Sequence, residues 1–503
     1  MNQSFAQAVK LIAMYLPQFH PIPENDRWWG GGFTEWTNVR KAEPQFPGHF
    51  QPHEPGKLGY YDLRDPDTRQ SQADLAREYG IYGFCYYHYW FNGKRLLETP
   101  FNEVLASGKP DFPFCLCWAN ENWTRRWDGL DQEVLMAQEY SDEDSAAFIR
   151  DLFATFRDDR YIRVNGKALL LVYRTNLLPD PKRTAEIWRE EMKRADMGEL
   201  YLVRVENLTG GGELISPYEL GFDAAMEFAP YWGAIGEKVT DLADVGLPAH
   251  KLQNDISVYD YEQCMHAMMR RPKPDYKLFR GVFPAWDNSS RRKSGATLFV
   301  NTSPEKYAYW LSSMLGQTID TFAGDERLMF VNAWNEWGEG CHLEPDNCLG
   351  LGYLEATHLA LREATAYDNF RLESNSAVQH ADIYKAWYAV LHGFYGDGGI
   401  PSRDDLALLL KFTDLFGRRK ELSFAYEKLS KLENFAETQR QQIEAQKYQI
   451  ESQKQQIEFY LHQLEVYENA VLAKANEMIA FQESVSWKIT KPIRIICDLI
   501  RGR

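Results

Sequence analysis

Between Val331 and Gly340 the sequence reads Val-Asn-Ala-Trp-Asn-Glu-Trp-Gly-Glu-Gly, an apolar run ending in two glutamates, Glu336 and Glu339, three residues apart. Glycosidic bond chemistry commonly needs two carboxyl groups. One gives a proton to the leaving oxygen, and the other acts on the sugar as nucleophile, base or charge stabiliser. Carboxylates this close in a desolvated pocket push their pKa values apart, which supplies an acid and a base. Gly338 and Gly340 permit the unusual backbone geometry that lets both side chains face one cavity. Paired glutamates alone are common, and without further support a solvated surface loop is the better reading of them, so their surroundings decide. Trp334 and Trp337 flank Glu336, and seven of the fifteen tryptophans (28, 29, 36, 90, 118, 123, 127) fall before residue 128. Aromatic faces pack on the C–H faces of sugar rings, while Asn, Gln, His and Arg bind hydroxyls. Runs such as Trp28-Trp-Gly-Gly-Gly-Phe33 and Trp118-Ala-Asn-Glu-Asn-Trp123 mix both kinds, as binding loops do.

The elements that must position these residues are legible as short apolar, β-rich runs: Leu11–Leu16, Tyr82–Tyr87, Phe114–Trp118, Leu169–Tyr173, Leu200–Val205, Ala224–Phe228, Gly281–Ala285 and Leu328–Ala333. Helical patterns lie between most of them, at Thr68–Tyr79, Asp144–Phe156, Arg183–Arg194, Tyr261–Arg270 and Pro304–Leu315. Alternation of this kind implies parallel strands, in an α/β (β/α)8 TIM-type barrel or a doubly wound open sheet. The strand ends favour the barrel. They run into Tyr15, Gln18 and His20; Tyr86, His88 and Trp90; Trp118, Asn120 and Glu121; Tyr173 and Arg174; Glu206 and Asn207; Trp286 and Asp287; Asn335 and Glu336. A barrel gathers all these ends on one face, where barrel enzymes keep their chemistry.

Composition excludes several alternatives. The formal charge of −16 sits in residues 1–419, because residues 420–483 and 484–503 contribute −4 and +4 and cancel. An acidic main domain argues against a nucleic-acid partner. The seven cysteines form no CxxC pair, which fits reduced thiols, with Cys115 and Cys117 as small core residues on one strand face. Leu11–Leu16 is too short for a secretory signal, and no run of ~20 apolar residues could span a bilayer, so the expected location is cytoplasmic. Asp65-Pro-Asp67 reads as a helix cap with a first-turn proline rather than a metal-binding pair. The glycine runs Gly30–Gly32 and Gly210–Gly212 match neither a P-loop nor a dinucleotide turn. His20, His49, His53 and His88 form no compact metal motif, so neither a metal nor another cofactor is expected.

Beyond residue 400 the texture changes. Leu422, Leu429, Ala436, Ile443, Ile450, Ile457, Leu464, Val471 and Met478 recur every seventh residue, the period of a coiled-coil seam. A lone solvated helix is the plainer reading; a seam marks homo-oligomerisation. From residue 484 onward, Trp487, Ile489, Ile493, Ile496, Leu499 and Ile500 interleave with Lys488, Lys491, Arg494, Arg501 and Arg503. That pattern suits a basic amphipathic helix on an anionic membrane surface, or a terminal helix docked on the protein. Pro492 is accommodated by placing it in the first turn. The expected organisation is a catalytic domain over 1–370, a helical linker over 371–419, a coiled coil over 420–483 and the basic tail over 484–503.

Five segments together resemble a known family: Tyr15-Leu-Pro-Gln-Phe-His20, Trp28-Trp-Gly-Gly-Gly-Phe-Thr-Glu-Trp36, Gly83-Phe-Cys-Tyr-Tyr-His-Tyr-Trp90, Trp118-Ala-Asn-Glu-Asn-Trp123 and Trp334-Asn-Glu-Trp-Gly-Glu-Gly340. Over about residues 8–365 the chain is similar to the WbsX-like glycosyltransferases of bacterial surface-polysaccharide synthesis. These carry a glycoside hydrolase family 99-like domain. The resemblance implies a retaining barrel enzyme whose first glutamate, here Glu336, deprotonates the sugar 2-hydroxyl to give a 1,2-anhydro intermediate. The second, here Glu339, is then the general acid/base, and Glu344 of Glu344-Pro345 takes a supporting role. The position between the glutamates, often His in the endo-α-mannosidases, is Gly338 here. The first-strand motif also departs from theirs, so no mannose preference is carried over. The residues expected to bind substrate are Tyr15, Gln18, His20, Trp36, Tyr86, His88, Trp90, Trp118, Asn120, Glu121, Trp286, Asn335, Trp337 and Glu344. The expected partner is an oligosaccharide or lipid-linked glycan, met at the inner face of the membrane in O-antigen or capsule synthesis. Endo-acting α-glycoside hydrolysis and a non-catalytic glycan-binding scaffold are the rival readings.

Overall fold

The computed structural model describes residues 8–125, 130–207, 215–252, 255–292, 294–374, 447, 450, 453–481, 483 and 485–502. Eight strands form a ring: β1 (Lys10–Tyr15), β2 (Gly83–Phe91), β3 (Phe114–Trp118), β4 (Lys167–Val172), β5 (Leu200–Glu206), β6 (Ala224–Glu227), β7 (Leu278–Phe279 and Gly281–Val282) and β8 (Leu328–Val331). Each pairs in parallel with the next, through Ile12↔Gly83, Cys85↔Cys115, Cys117↔Leu171, Leu170↔Leu202, Ala225↔Arg204 and Met226↔Phe279. The second piece of β7 pairs with β8, and β8 returns to β1 through Leu11↔Met329, which closes the barrel. The open-sheet alternative is excluded. The seventh strand lies three residues earlier than the sequence predicts. Pairing there stops at Val282, and Pro284 has no N–H to offer a ladder.

Both faces of these strands are covered, one by the barrel interior and the other by helices, and Leu169–Val172 are wholly buried. The longer helices of this domain are α1 (Pro66–Glu78), α2 (Thr99–Ser107), α3 (Asp142–Asp151), α4 (Pro181–Arg194), α5 (Tyr261–Met269), α6 (Pro304–Thr321) and α7 (Gly352–Ser374). Side-chain oxygens cap five of them: Asp65, Ser141, Asp180, Asp260 and Ser303 each accept from a backbone N–H of the first turn. Proline occupies the opening of α1, α4 and α6. Asp65-Pro-Asp67 is thus a helix start.

Two insertions shape the mouth of the barrel. Trp123–Arg125 and Leu130–Met136 form an antiparallel hairpin after β3. Lys238–Val239, Ile256–Asp260 and Ala296–Val300 form a small sheet around Val239, Ile256, Val258, Leu298 and Val300. The chain leaving β7 returns along this sheet, tied by Phe299 N–H to Trp286 O at 2.9 Å and Asn288 N–H to Thr297 O at 3.2 Å. Arg291 sits in the loop that the second of these ties closes.

Residues Ala407–Arg503 form a second compact unit. Residues 453–481 are helical, and the described seam residues Ile450, Ile457, Leu464, Val471 and Met478 are all exposed. Leu422, Leu429, Ala436 and Ile443 lie outside the described residues, as does most of the expected linker. A further helix spans Val485–Ile500 and carries Pro492 in its interior, not in its first turn as the sequence reading placed it. Its flanking residues are solvated, so water can satisfy the carbonyl that loses its N–H partner. The side chain of Trp487 is outside the described residues. Among the described residues no helix is long and apolar enough to cross a membrane.

Candidate active site

At the carboxyl ends of the strands lies a cleft of about 450 Å³, walled by the last residues of β2 and by the loops after β1, β3, β4, β6, β7 and β8. Glu336 and Glu339 both open onto it. They are set by a tight reversal: Asn335–Glu336 pairs antiparallel with Cys341–His342, and Trp337–Glu339 make a single 3-10 turn between them. The two glycines act differently. Gly340 takes a left-handed φ of 56°, which releases the chain from the turn. Gly338 is required for space, since a Cβ there would lie 1.9 Å from Glu35 Oε1 and 2.5 Å from Arg291 Nε.

Sequence reasoning missed both partners that occupy that space. The Arg291 guanidinium contacts three carboxylates: Glu35 through Nε at 2.5 Å, Glu339 through Nη1 at 2.9 Å, and Glu336 through Nη2. Glu35 is wholly buried beneath it, whereas the Glu339 side chain is 23% exposed and reaches the open part of the cleft. Burial raises the Glu336 carboxyl to about 8. Arg291 pulls it down, while the charges of Glu339 and Glu35 push it up. Such a group is a stronger base than an ordinary carboxylate once ionised.

The walls are aromatic. Tyr87, Tyr89, Trp28, Trp29, Trp123, Trp232 and Trp286 line the cleft. Trp28 meets Trp123 edge-on at 5.8 Å, and Trp232 meets Trp286 edge-on at 5.6 Å. Burial, followed for Tyr89 by the charge of Glu336, holds the Tyr87 and Tyr89 phenols well above their usual pKa as neutral donors. Gln18 and Glu121 also reach the cleft, with Glu121 paired to Arg174 at 2.9 Å.

Of the residues the sequence reading placed at the substrate, the structure brings Gln18, Glu121, Trp286, Glu336 and Glu339 together around the cleft. The others pack behind it. Tyr86, His88 and Trp90 are on the helix-facing side of β2, because successive side chains on a strand point to opposite faces. Tyr86 packs on Phe101, His88 is edge-on to Phe148, and Trp90 donates to Asp144. Burial lowers the pKa of His88 to about 3. Tyr15 likewise faces outward and donates to Gln72 Oε1 at 2.7 Å. Trp118 stacks on Phe148 at 4.5 Å. Trp36 donates to the carbonyl of Tyr61, and His20 contacts that of Pro17. Asn120 receives the Arg174 N–H and donates to its carbonyl, so it holds a wall residue instead of forming the wall.

Beneath the strand-eight turn a second polar layer fixes its pose. Asn335 accepts from Leu16 N–H at 2.8 Å and donates to Leu16 O at 3.0 Å, which ties β8 to β1. Glu344 is buried and accepts from Tyr61 Oη at 2.8 Å, Gln72 Nε2 at 2.6 Å and Trp337 Nε1 at 2.6 Å. Trp337 lies flat on His342, with ring centroids 3.7 Å apart. These residues support the site from behind.

One group among the described residues could hold a metal ion. The ligand atoms of His53, His342 and Asp346 lie within 4.8 Å of one another. The fold brings His53 next to a histidine the sequence reading did not pair with it. His342 Nδ1 lies 2.9 Å from Glu344 O, which assigns the proton there and leaves Nε2 to accept from His53 Nδ1 at 3.0 Å. Burial lowers both imidazoles to about 4.

The family described as Glycosyltransferase WbsX matches residues 11–357, from the first strand of the barrel into α7. The chain belongs to this family. It is similar to the protein WxcX of Xanthomonas campestris pv. campestris (strain B100), 46% identical over 380 residues, which are 75% of this chain and 52% of WxcX. The chain thus spans about half the length of the curated relatives it matches. Among solved structures it is similar to the GH99 endo-alpha-mannosidase from Bacteroides thetaiotaomicron, with 15% identity and a TM-score of 0.44 over 71% of this chain and 98% of that one. A glycoside hydrolase-like protein is similar at 12% identity and a TM-score of 0.44, over 72% of this chain and 96% of that one.

Proposed function

We propose that the cleft transfers a glycosyl unit between α-linked sugars with retention of configuration, with Glu336 and Glu339 as the reacting carboxyls. The observation that carries this reading is that both carboxyls, from one turn, open on the same aromatic-walled cleft. In the first step Glu339 gives its proton to the leaving oxygen. Glu336 takes the proton of the sugar 2-hydroxyl, and that oxygen closes on the anomeric carbon. In the second step Glu339 takes the proton of the acceptor hydroxyl as it attacks the same carbon, and Glu336 returns a proton to the 2-oxygen. The raised basicity of buried Glu336 suits it to a reluctant hydroxyl proton, and the more open Glu339 suits exchange with incoming acceptors.

The setting we propose is surface-polysaccharide synthesis, in keeping with membership of a glycosyltransferase family. Residues 1–370 catalyse, 371–419 link, 420–483 associate copies of the chain, and 484–503 rest on the cytoplasmic membrane face where lipid-linked glycans are met. The test incubates the full chain with a panel of α-linked oligosaccharides and lipid-linked glycans and follows the first product by NMR. A retained anomer on a sugar acceptor is expected. An inverted first product contradicts the two-step route. Release to water alone replaces transfer with endo-hydrolysis.

A further inference from the structure

The cleft contains a guanidinium that no step above uses, and its placement is more specific than charge balance requires. We propose that Arg291, itself anchored by Glu35, is a positioning residue that fixes the spacing and the ionisation of Glu336 and Glu339. This rests on the reading of those two glutamates as the reacting groups.

Three sets of contacts support it. First, the three carboxylates engage three different nitrogens of one planar group, Nε, Nη1 and Nη2. A guanidinium is rigid, so carboxylates bound along its edges hold fixed positions relative to one another, which a lysine ammonium cannot enforce. Second, Glu35 is buried and receives Nε, the nitrogen nearest the side-chain stem, so it sets the plane of the fork while Nη1 and Nη2 remain for the cleft. The glycine at 338 leaves the room this pair needs. Third, the arm bearing Arg291 is latched to backbone carbonyls of the strand-eight turn. Asp287 N–H donates to Glu339 O at 2.6 Å, and Ser290 Oγ donates to Gly338 O at 2.8 Å. The arginine and the two glutamates therefore move as one piece.

The chemical consequence is a bias on protonation. Burial and mutual repulsion drive Glu336 towards its neutral form, and the guanidinium is the largest influence opposing them. Without it, Glu336 would hold its proton to higher pH, and a smaller fraction would be ionised to accept one from a hydroxyl.

The test titrates Glu336 in the full chain without substrate, through the carboxyl band of infrared difference spectra that Glu336→Gln removes. In Arg291→Met the midpoint is expected to rise by at least ~1 pH unit, and in Arg291→Lys by less, because the charge is kept and the fork is lost. An unmoved midpoint in Arg291→Met overturns the proposal. If that variant does not fold, Arg291→Gln keeps a planar donor without the charge and is read in the same way. Guanidinium ion added to Arg291→Ala should lower the midpoint again, an effect a merely structural role would not produce. Because this titration needs no substrate, its outcome is separate from that of the catalytic reading, which fails instead if Glu336→Gln still turns over glycans.

Discussion

At Glu344 three donors converge on one carboxyl, yet burial outweighs them and raises the group to about 7. Its proton is therefore held to higher pH in the folded chain than in the unfolded one, where a glutamate titrates near ~4.3. Over that interval the folded state binds more protons, so stability falls as pH rises from the unfolded value through the folded one. Glu336 acts in the same sense up to about 8. The buried histidines, lowered by the same burial, act in the opposite sense below about pH 6.5. The readout is therefore the difference between two proteins: from about pH 5 to about pH 7 the thermal midpoint of the unsubstituted chain should fall relative to that of Glu344→Gln. That variant should also lose ~1–3 kcal/mol throughout, because its amide NH2 must face Gln72 Nε2 or the Tyr61 and Trp337 donors. Parallel pH curves for the two proteins would contradict this account. Neither effect is visible in the sequence, where Glu344 is one of 72 acidic residues. The same holds for the meeting of Glu35, Arg291 and Glu336, which only the barrel brings within contact.

The strands show where sequence reading holds and where it fails. All eight were legible, because fully buried parallel strands appear as short apolar runs between helical patterns. Their parity was not. Gly83–Phe91 carries large aromatic or polar side chains on both faces, one towards the helices and the other towards the cleft, so no alternation marks the inner face. The sequence points to Tyr86, His88 and Trp90, whereas Tyr87 and Tyr89 line the cleft. Substitution separates the two sets. Tyr89→Ala should lower kcat/KM on a confirmed glycan at least ~10-fold while changing the thermal midpoint little, as expected for a lost hydroxyl-binding donor. Trp118→Ala should cost ~3–5 kcal/mol of stability, since it removes a stack on Phe148 and an edge contact with Trp188. If Trp118→Ala instead removed substrate binding from a fully stable protein, the placement of that face would be wrong. The arm after β7 is marked in the sequence by Trp286 and Asp287, and the nearby Arg291 and Arg292 are the signal that extends it.

For the whole molecule, the acidic first 419 residues contrast with a tail of net +4 over the last twenty. The helix Val485–Ile500 exposes Ile489, Ile493, Ile496, Leu499 and Ile500 together with Lys488 and Lys491. An apolar stripe among cations binds anionic bilayers more weakly as salt screens the surface. Full-length protein should therefore co-sediment with anionic liposomes in low salt, and a chain ending at Glu483 should not. Equal sedimentation of the two would refute the anchor. The exposed seam from Ile450 to Met478 makes a separate prediction, that deletion of residues 401–503 lowers the mass seen by light scattering to that of one chain. An association state that survives the deletion would place the contact elsewhere.

The central claim is that Glu336 and Glu339 carry glycosyl chemistry in one cleft, and the most direct measurement is turnover by Glu336→Gln and Glu339→Gln on a glycan that the unsubstituted chain processes. Each amide keeps the shape of the side chain and removes the proton it must take or give. Each variant should lose at least ~100-fold in kcat with an unchanged circular-dichroism spectrum. Near-normal turnover by either variant would contradict the account.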